Sequence, residues 1–395
     1  MRIASQVILG LLPILTQVLQ PVVLMNILVA PDSFKGTLSA ADICQHVQET
    51  LGPEFTVLSH PLADGGEGTL AAIADCLPDA QWIEQTVMGP LPQQRIKAHY
   101  LWFTATQTAF IEMAQASGLT LLTETERNPA LTTTYGTGEL IADALNRGAK
   151  KIDLAIGGSA TNDAGVGMLM ALGWQFLDSF GQPLSFGGNQ LARIQRIVPP
   201  NPLPIAEQGV EVWCDVTNPL YGPKGAIAVF GPQKGANADM VRELDQGLQH
   251  FAQIVEQQFD LDLNFAGAGA AGGLGAGAKL GFNAQLSRGI ERIAELTGLE
   301  AKIRASDVVI TGEGYFDHQS LQGKVVSGVL ALAQKYQKRL ILLVGNTAFD
   351  AYPGIEKIMT LVTPQTSIQE ALNNPQKVLK ERCQELKSYL SPSRF

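Results

Sequence analysis

A chain of 395 residues exceeds what one compact core accommodates, so two domains with a cleft between them are expected. Hydrophobic content of 46% against 16% charged residues excludes a disordered polymer. A formal net charge of −9 excludes nucleic acid as a default partner, because phosphate-backbone binding needs a basic surface.

The apolar opening stretch from Met1 to Leu24 superficially resembles a secretory leader. Pro13, Pro21, Gln17 and Gln20 interrupt it and no small-residue cleavage site follows, so a disordered extension or a mis-assigned start, with Met25 as the alternative, is expected. Asn26 to Ala30 then reads as a buried strand stopped by Pro31, and Ser39 precedes a helix from Ala40 to Thr50. Phe55 to Ser59 is a second strand, and the turn Ala63-Asp64-Gly65-Gly66-Glu67-Gly68-Thr69 enters a helix from Leu70 to Asp75. The middle of the chain has another texture, with strands near Gln94 to Tyr100, Ala109 to Met113 and Ile152 to Ile156 and glycine-rich turns entering helices. The far end returns to the opening grammar: a strand from Asp307 to Thr311, a loop to Gly323, a helix from Val325 to Tyr336, and strands at Leu340 to Val344 and Lys357 to Val362.

Because the two ends share one architecture, they predict a single doubly wound α/β domain from residues 25–75 and 282–395, interrupted by an inserted α+β domain over 76–281. The four cysteines, Cys44, Cys76, Cys214 and Cys383, form no C-x-x-C pair and read as free thiols in a reducing compartment, which places the protein in the cytoplasm.

Ligands of an open parallel sheet bind outside the carboxyl ends of its strands. Three loops there are acidic: Asp32 with Lys35, Asp64 with Glu67, and Glu313 with Asp317. Any one of these acids serves equally well as a helix cap or a turn residue. Converging carboxylates repel unless a cation joins them, and magnesium takes one or two carboxylates together with substrate phosphates. The three loops together therefore point to magnesium-nucleotide chemistry, with Asp64, Glu313 and Asp317 as metal ligands.

A second signal is Ile156-Gly157-Gly158-Ser159-Ala160-Thr161-Asn162-Asp163-Ala164-Gly165, a strand running through a glycine turn toward a helix. Free N–H groups at such a start bind phosphate or carboxylate, and Asp163 is placed to take a proton from a hydroxyl. The G-x-G-x-x-G at Gly267, Gly269 and Gly272 lacks the flanking strand and acid of a dinucleotide fingerprint and reads as a close-packed glycine segment near phosphate. There is no P-loop; Lys324 and Lys234 remain as point charges toward an anion. The five histidines show no ligand spacing, and no G-x-S-x-G is present.

Taken together these segments resemble the bacterial type-1 glycerate kinases. The matching stretches are Ala30 to Ser39, Ala63 to Thr69, Asn128 to Leu140, Ile156 to Gly167, Cys214 to Leu220, Val229 to Ala236, Gly267 to Leu274 and Ile310 to Gly314, covering nearly everything from Met25 to Val362. One departure stands out: the family's Gly-Glu-Gly-Arg-x-Asp-x-Gln has Tyr315 in place of its arginine, with Asp317 and Gln319 retained. The extension before Met25 has no family counterpart.

The resemblance implies a flavodoxin-like domain, an inserted domain, and an active site in the cleft between them. It further implies transfer of a phosphoryl group from ATP with magnesium to D-glycerate, giving 2-phosphoglycerate, with 3-phosphoglycerate as the alternative, in a monomer or homodimer with no membrane or nucleic-acid partner. The expected catalytic residues are Lys35, Asp163 and Asp215. Substrate and phosphate contacts are expected from Asp32, Ser33, Asp64, Gly65, Gly66 and Glu67 in the first domain. Gly157, Gly158, Ser159, Asn162, Asn218, Lys234, Gly269 and Gly272 join them from the insertion, and Lys324 from the far end. The rivals are a secreted carboxylate- or phosphate-binding protein, against which the acidic loops speak, and a dinucleotide-dependent oxidoreductase resting on the glycine fingerprint alone.

Overall fold

A computed structural model describes residues 24–205, 207–321 and 323–391; the expectation for the opening extension falls outside them but for Leu24. The first sheet has five strands, Asn26–Val29, Thr56–Ser59, Val308–Thr311, Arg339–Val344 and Lys357–Thr360, all parallel. Taken in chain order as one to five, they lie 2-1-3-4-5 across the sheet, the flavodoxin-like order.

Central parallel strands are covered on both faces, which is why Ile27, Leu28 and Val29, and likewise Val308, Val309 and Ile310, are all buried. One face packs on the helix Ala40–Leu51, whose Ile43, Val47 and Leu51 form an apolar stripe, and on the helix Pro375–Leu390. Ser39 starts the first of these helices with a capping box, its hydroxyl accepting from Asp42 N at 3.0 Å. The other face packs on the helices Thr69–Cys76, Gly289–Thr297, Leu299–Ala305 and Val325–Lys335.

The second sheet orders its six strands Gln285–Ser287, Val210–Trp213, Lys151–Ala155, Thr108–Glu112, Arg95–Phe103 and Gln81–Met88. The first four run parallel and the last two form an antiparallel edge, making a mixed sheet whose parallel half repeats the strand-then-loop grammar of the first. Gln285–Ser287 pairs with Val210–Trp213, so the crossing back to the first sheet falls after Ser287 and not at Gly281. A strand of three residues carries too little periodicity to announce itself.

The two sheets are not separated by an open cleft along their whole junction. One apolar cluster joins Leu28, Ala30 and Ile73 of the first to Leu101, Phe110, Ala155 and Trp213 of the second. Among the described residues no helix is long and apolar enough to cross a membrane.

Candidate active site

Asn26–Val29 and Val308–Thr311 are neighbours from which the sheet is built outward in both directions, and their carboxyl ends form its switch point. The two loops leaving them are stitched together: Asp32 N donates to Gly312 O at 2.8 Å, and Thr311 Oγ1 donates to Ala30 O at 2.6 Å. A cavity of about 490 Å³ opens there, lined by Asp32, Ser33 and Lys35, by Asp64, by Glu313, and by Lys324 at the start of the following helix. These are the three acidic loops read from sequence, brought together. The cavity is lined by residues of the first domain, from these loops and from the helix Ile368–Asn373.

The electrostatics of this cavity are unbalanced. Burial pushes the Asp32 carboxyl up to about 7, the Asp64 charge adds to the rise, and Lys35 opposes it. Asp32 keeps two local bonds, its Oδ1 accepting from Ser33 N at 2.7 Å and Ser33 Oγ at 3.4 Å. Lys35 Nζ stands 3.7 Å from Asp64 Oδ2 with its side chain 68% exposed, and that carboxylate raises its pKa. Burial raises Glu313 as well, and its Oε1 is buried without a hydrogen-bond partner.

An unpartnered buried carboxylate oxygen is costly unless a ligand completes it. The all-oxygen donor set of Asp64 and Glu313 suits a hard cation that takes its remaining ligands from phosphate and water. Asp317, expected as the third ligand, is not among the residues lining the cavity, although its charge adds to the rise of Glu313. Its Oδ1 accepts from Gln319 N at 2.8 Å and Ser320 N at 3.2 Å, closing the turn. Among the described residues no three His, Cys, Asp or Glu side chains form an all-protein metal cage.

The Asp64 loop sits where the carboxyl ends of both sheets meet. Gly65 O accepts from Gly157 N at 3.0 Å, and a Cβ on Gly157 would lie 2.5 Å from the Gly66 Cα, so only glycine permits this backbone approach. Gly158 takes a left-handed φ of 76° beside Glu67, whose own side chain points to solvent.

Asp215 leaves the strand Val210–Trp213 toward the same loop. Burial, and then the Asp64 charge, push it up to about 7; its Oδ1 accepts from Gly289 N at 2.9 Å while its Oδ2 is buried with no partner. Arg288 is close enough to pull that pKa back.

Sequence reasoning missed Glu112. This fully buried carboxylate at the end of the strand Thr108–Glu112 accepts from Gly68 N at 3.3 Å and Leu70 N at 3.2 Å, and so caps the helix Thr69–Cys76, whose own N-cap, Gly68, has no side chain. Burial raises it to about 7. Only a capless glycine at a helix start hinted that a distant acid would serve.

The Ile156 to Gly167 segment is built differently. Asp163 is buried, and its oxygens accept from Thr134 N at 2.8 Å, Thr134 Oγ1 at 2.9 Å, Thr133 Oγ1 at 3.3 Å, and Gly165 N and Gly167 N both at 3.2 Å. Five donors hold this carboxylate in place, and burial raises its pKa against them. Lys234 is 2% exposed, donates to Ser159 Oγ and Thr161 O, both at 2.7 Å, and has its pKa lowered to about 7 by burial, with Asp163 opposing. It ties the loop together and does not reach the cavity, so the anion-neutralising role expected of it is not supported.

Asn162 is buried with both side-chain polar atoms unpartnered. Asn218 Nδ2 donates to Lys224 O at 2.9 Å, closing its own loop. Gly269 and Gly272 pack against backbone: a Cβ would meet Pro219 O at 2.2 Å and Thr161 O at 1.9 Å. Their glycines make room for neighbouring chain, not for phosphate.

Comparison with known proteins bears on the same region of chain. The model of the glycerate kinase family matches residues 27–391. A glycerate kinase of Haemophilus influenzae is 41% identical over 93% of this chain and 99% of its own length. The glycerate 2-kinase of Escherichia coli is 41% identical over 88% of this chain and 93% of its own. A crystal structure ascribed to glycerate kinase 2 of Salmonella typhimurium LT2 superimposes with a TM-score of 0.78 at 39% identity, covering 93% of this chain and 98% of the other.

Proposed function

Because the chain belongs to the glycerate kinase family, we propose that it transfers the γ-phosphoryl group of ATP to a hydroxyl of D-glycerate, giving 2-phosphoglycerate, in the cytoplasm and with magnesium. The observation that carries this reading is the meeting of Asp32, Lys35, Asp64 and Glu313 in one cavity at the switch point of a parallel sheet. The name glycerate 2-kinase carried by the Escherichia coli relative favours the 2-phosphate over the 3-phosphate.

Phosphoryl transfer asks for in-line positioning, neutralisation of phosphate charge and a destination for the hydroxyl proton. Lys35 and Lys324 line the cavity and supply the positive charge. Asp64 and Glu313 are the residues that would hold magnesium, which neutralises phosphate charge when bound. The glycerate hydroxyl oxygen forms the new bond to the γ-phosphorus, the bond from that phosphorus to the bridging oxygen of ADP breaks, and the hydroxyl proton passes to Asp215. A carboxyl near 7 is matched to that task, and its free Oδ2 is the position that receives the proton. Glycerate then lies between the Asp64 loop and Asp215, with Arg288 beside it for the carboxylate.

Release of ADP on mixing the protein with ATP, magnesium and D-glycerate tests the reading, and phosphorus NMR of the product separates the 2- from the 3-phosphate. No ADP release with glycerate or any related hydroxy acid would overturn it.

A further inference from the structure

We infer that the aliphatic lining of the switch-point cavity seats the nucleobase of the phosphoryl donor, held between Leu361 and Val362 after the last strand of the first sheet and Ile368 and Leu372 of the short helix Ile368–Asn373. This rests on reading the cavity as a phosphoryl-transfer site, and adds where the donor's base lies.

The cavity lining is of two kinds: carboxylates and lysines from the loops, and the aliphatic side chains of Leu361, Val362, Ile368, Ala371 and Leu372. Ser367 starts the short helix by accepting from Glu370 N at 3.1 Å, and Ala371 anchors it in the core that also holds Val378 and Leu379. Ile368 and Leu372 stand one turn apart on a single face. They are 57% and 54% exposed although they line a cavity.

A purine is a flat, largely apolar body that fits such a seat, and burying two exposed aliphatic side chains against it gains hydrophobic free energy. The orientation follows from charge: phosphates turn to Lys35 and Lys324, and the base takes the uncharged lining. A volume of about 490 Å³ lies in the range of small-molecule sites rather than of protein-docking grooves.

Calorimetric titration with magnesium ADP, and separate KM values for ATP and for glycerate, test the inference on Ile368→Asp and Leu372→Asp. Both side chains are largely exposed, so the variants fold. Phe180→Asp, at a site 85% exposed in the other sheet's region, serves as the control. The expected result is an increase of about tenfold or more in the ADP dissociation constant and in the KM for ATP, with the KM for glycerate within about twofold, and recovery in Ile368→Val. Unchanged ADP affinity in both aspartate variants, or an equal rise in the KM for glycerate, would overturn the seat while leaving the kinase reading in place. A wild-type protein that neither binds ADP nor releases it from ATP with glycerate would overturn the kinase reading itself.

Discussion

Two loops with the same outward grammar, a buried parallel strand running into glycine and aspartate, meet opposite fates. At the switch point, Asp32, Asp64 and Glu313 crowd around one exposed lysine, and Glu313 keeps an oxygen with no partner. In the segment Ile156 to Gly167, Asp163 collects five donors, and Lys234 spends two of its donors on Ser159 and Thr161. The first arrangement leaves a carboxylate oxygen unpartnered; in the second Asp163 and Lys234 are bonded, while Asn162 and the Thr161 hydroxyl are buried without partners. Hydrogen-bond saturation, which sequence does not display, separates a reacting carboxylate from a structural one.

Substitutions can break that contrast, beginning with the largest expected effect. Lys35→Ala removes charge from a mostly exposed side chain, so the fold survives while kcat/KM for phosphoryl transfer falls by about 10²–10³-fold, measured by coupled ADP release. Asp163→Ala does the reverse: it leaves five buried donors without their acceptor and costs about 3 kcal/mol of stability in urea titration. Activity per folded molecule of the milder Asp163→Asn stays within about threefold, because no reacting atom is touched. Glu112→Gln weakens the cap on the helix after the Asp64 loop, lowering stability by about 1–3 kcal/mol, again read from urea titration.

The smallest effect is a slope with pH. Asp32 and Asp215 rise from 3.8, and Glu112 from 4.5, each to about 7 on folding. A carboxyl raised in this way binds its proton more tightly in the folded state. Its favourable contribution is full below about pH 4 and is lost as pH climbs through about 7. These three carboxyls alone make the melting temperature fall between about pH 4 and 7, while His60, which burial lowers to about 3, acts in the opposite sense over part of that range and Lys234 above it. Asp215→Asn therefore falls less steeply than the wild type between about pH 4 and 7, and a difference between the two that does not change with pH would show that Asp215 is not raised.

The strands of the first sheet were legible because most are short apolar runs bounded by proline, glycine or acid, and its acidic loops follow from that placement, while the flavodoxin-like order came from the family resemblance. The strand Gln81–Met88 was not, since its alternating half-exposed residues resemble a surface loop. The closing of much of the junction between the two sheets was hidden as well: it depends on an apolar cluster that includes Leu28, Phe110 and Trp213, residues far apart in the chain. A turn-closing aspartate and a metal-binding one occupy the same place in a motif, so the bonds of Asp317 to Gln319 and Ser320 were not legible in the sequence.

The central claim is that the cavity of Asp32, Lys35, Asp64 and Glu313 performs the transfer while the Asp163 turn supports the fold. Measuring ADP release per folded molecule from D-glycerate for Lys35→Ala and Asp163→Asn side by side tests it most directly. The account predicts a loss of at least about a hundredfold in the first and near-normal turnover in the second; near-normal turnover in Lys35→Ala together with a collapse in folded Asp163→Asn would contradict it.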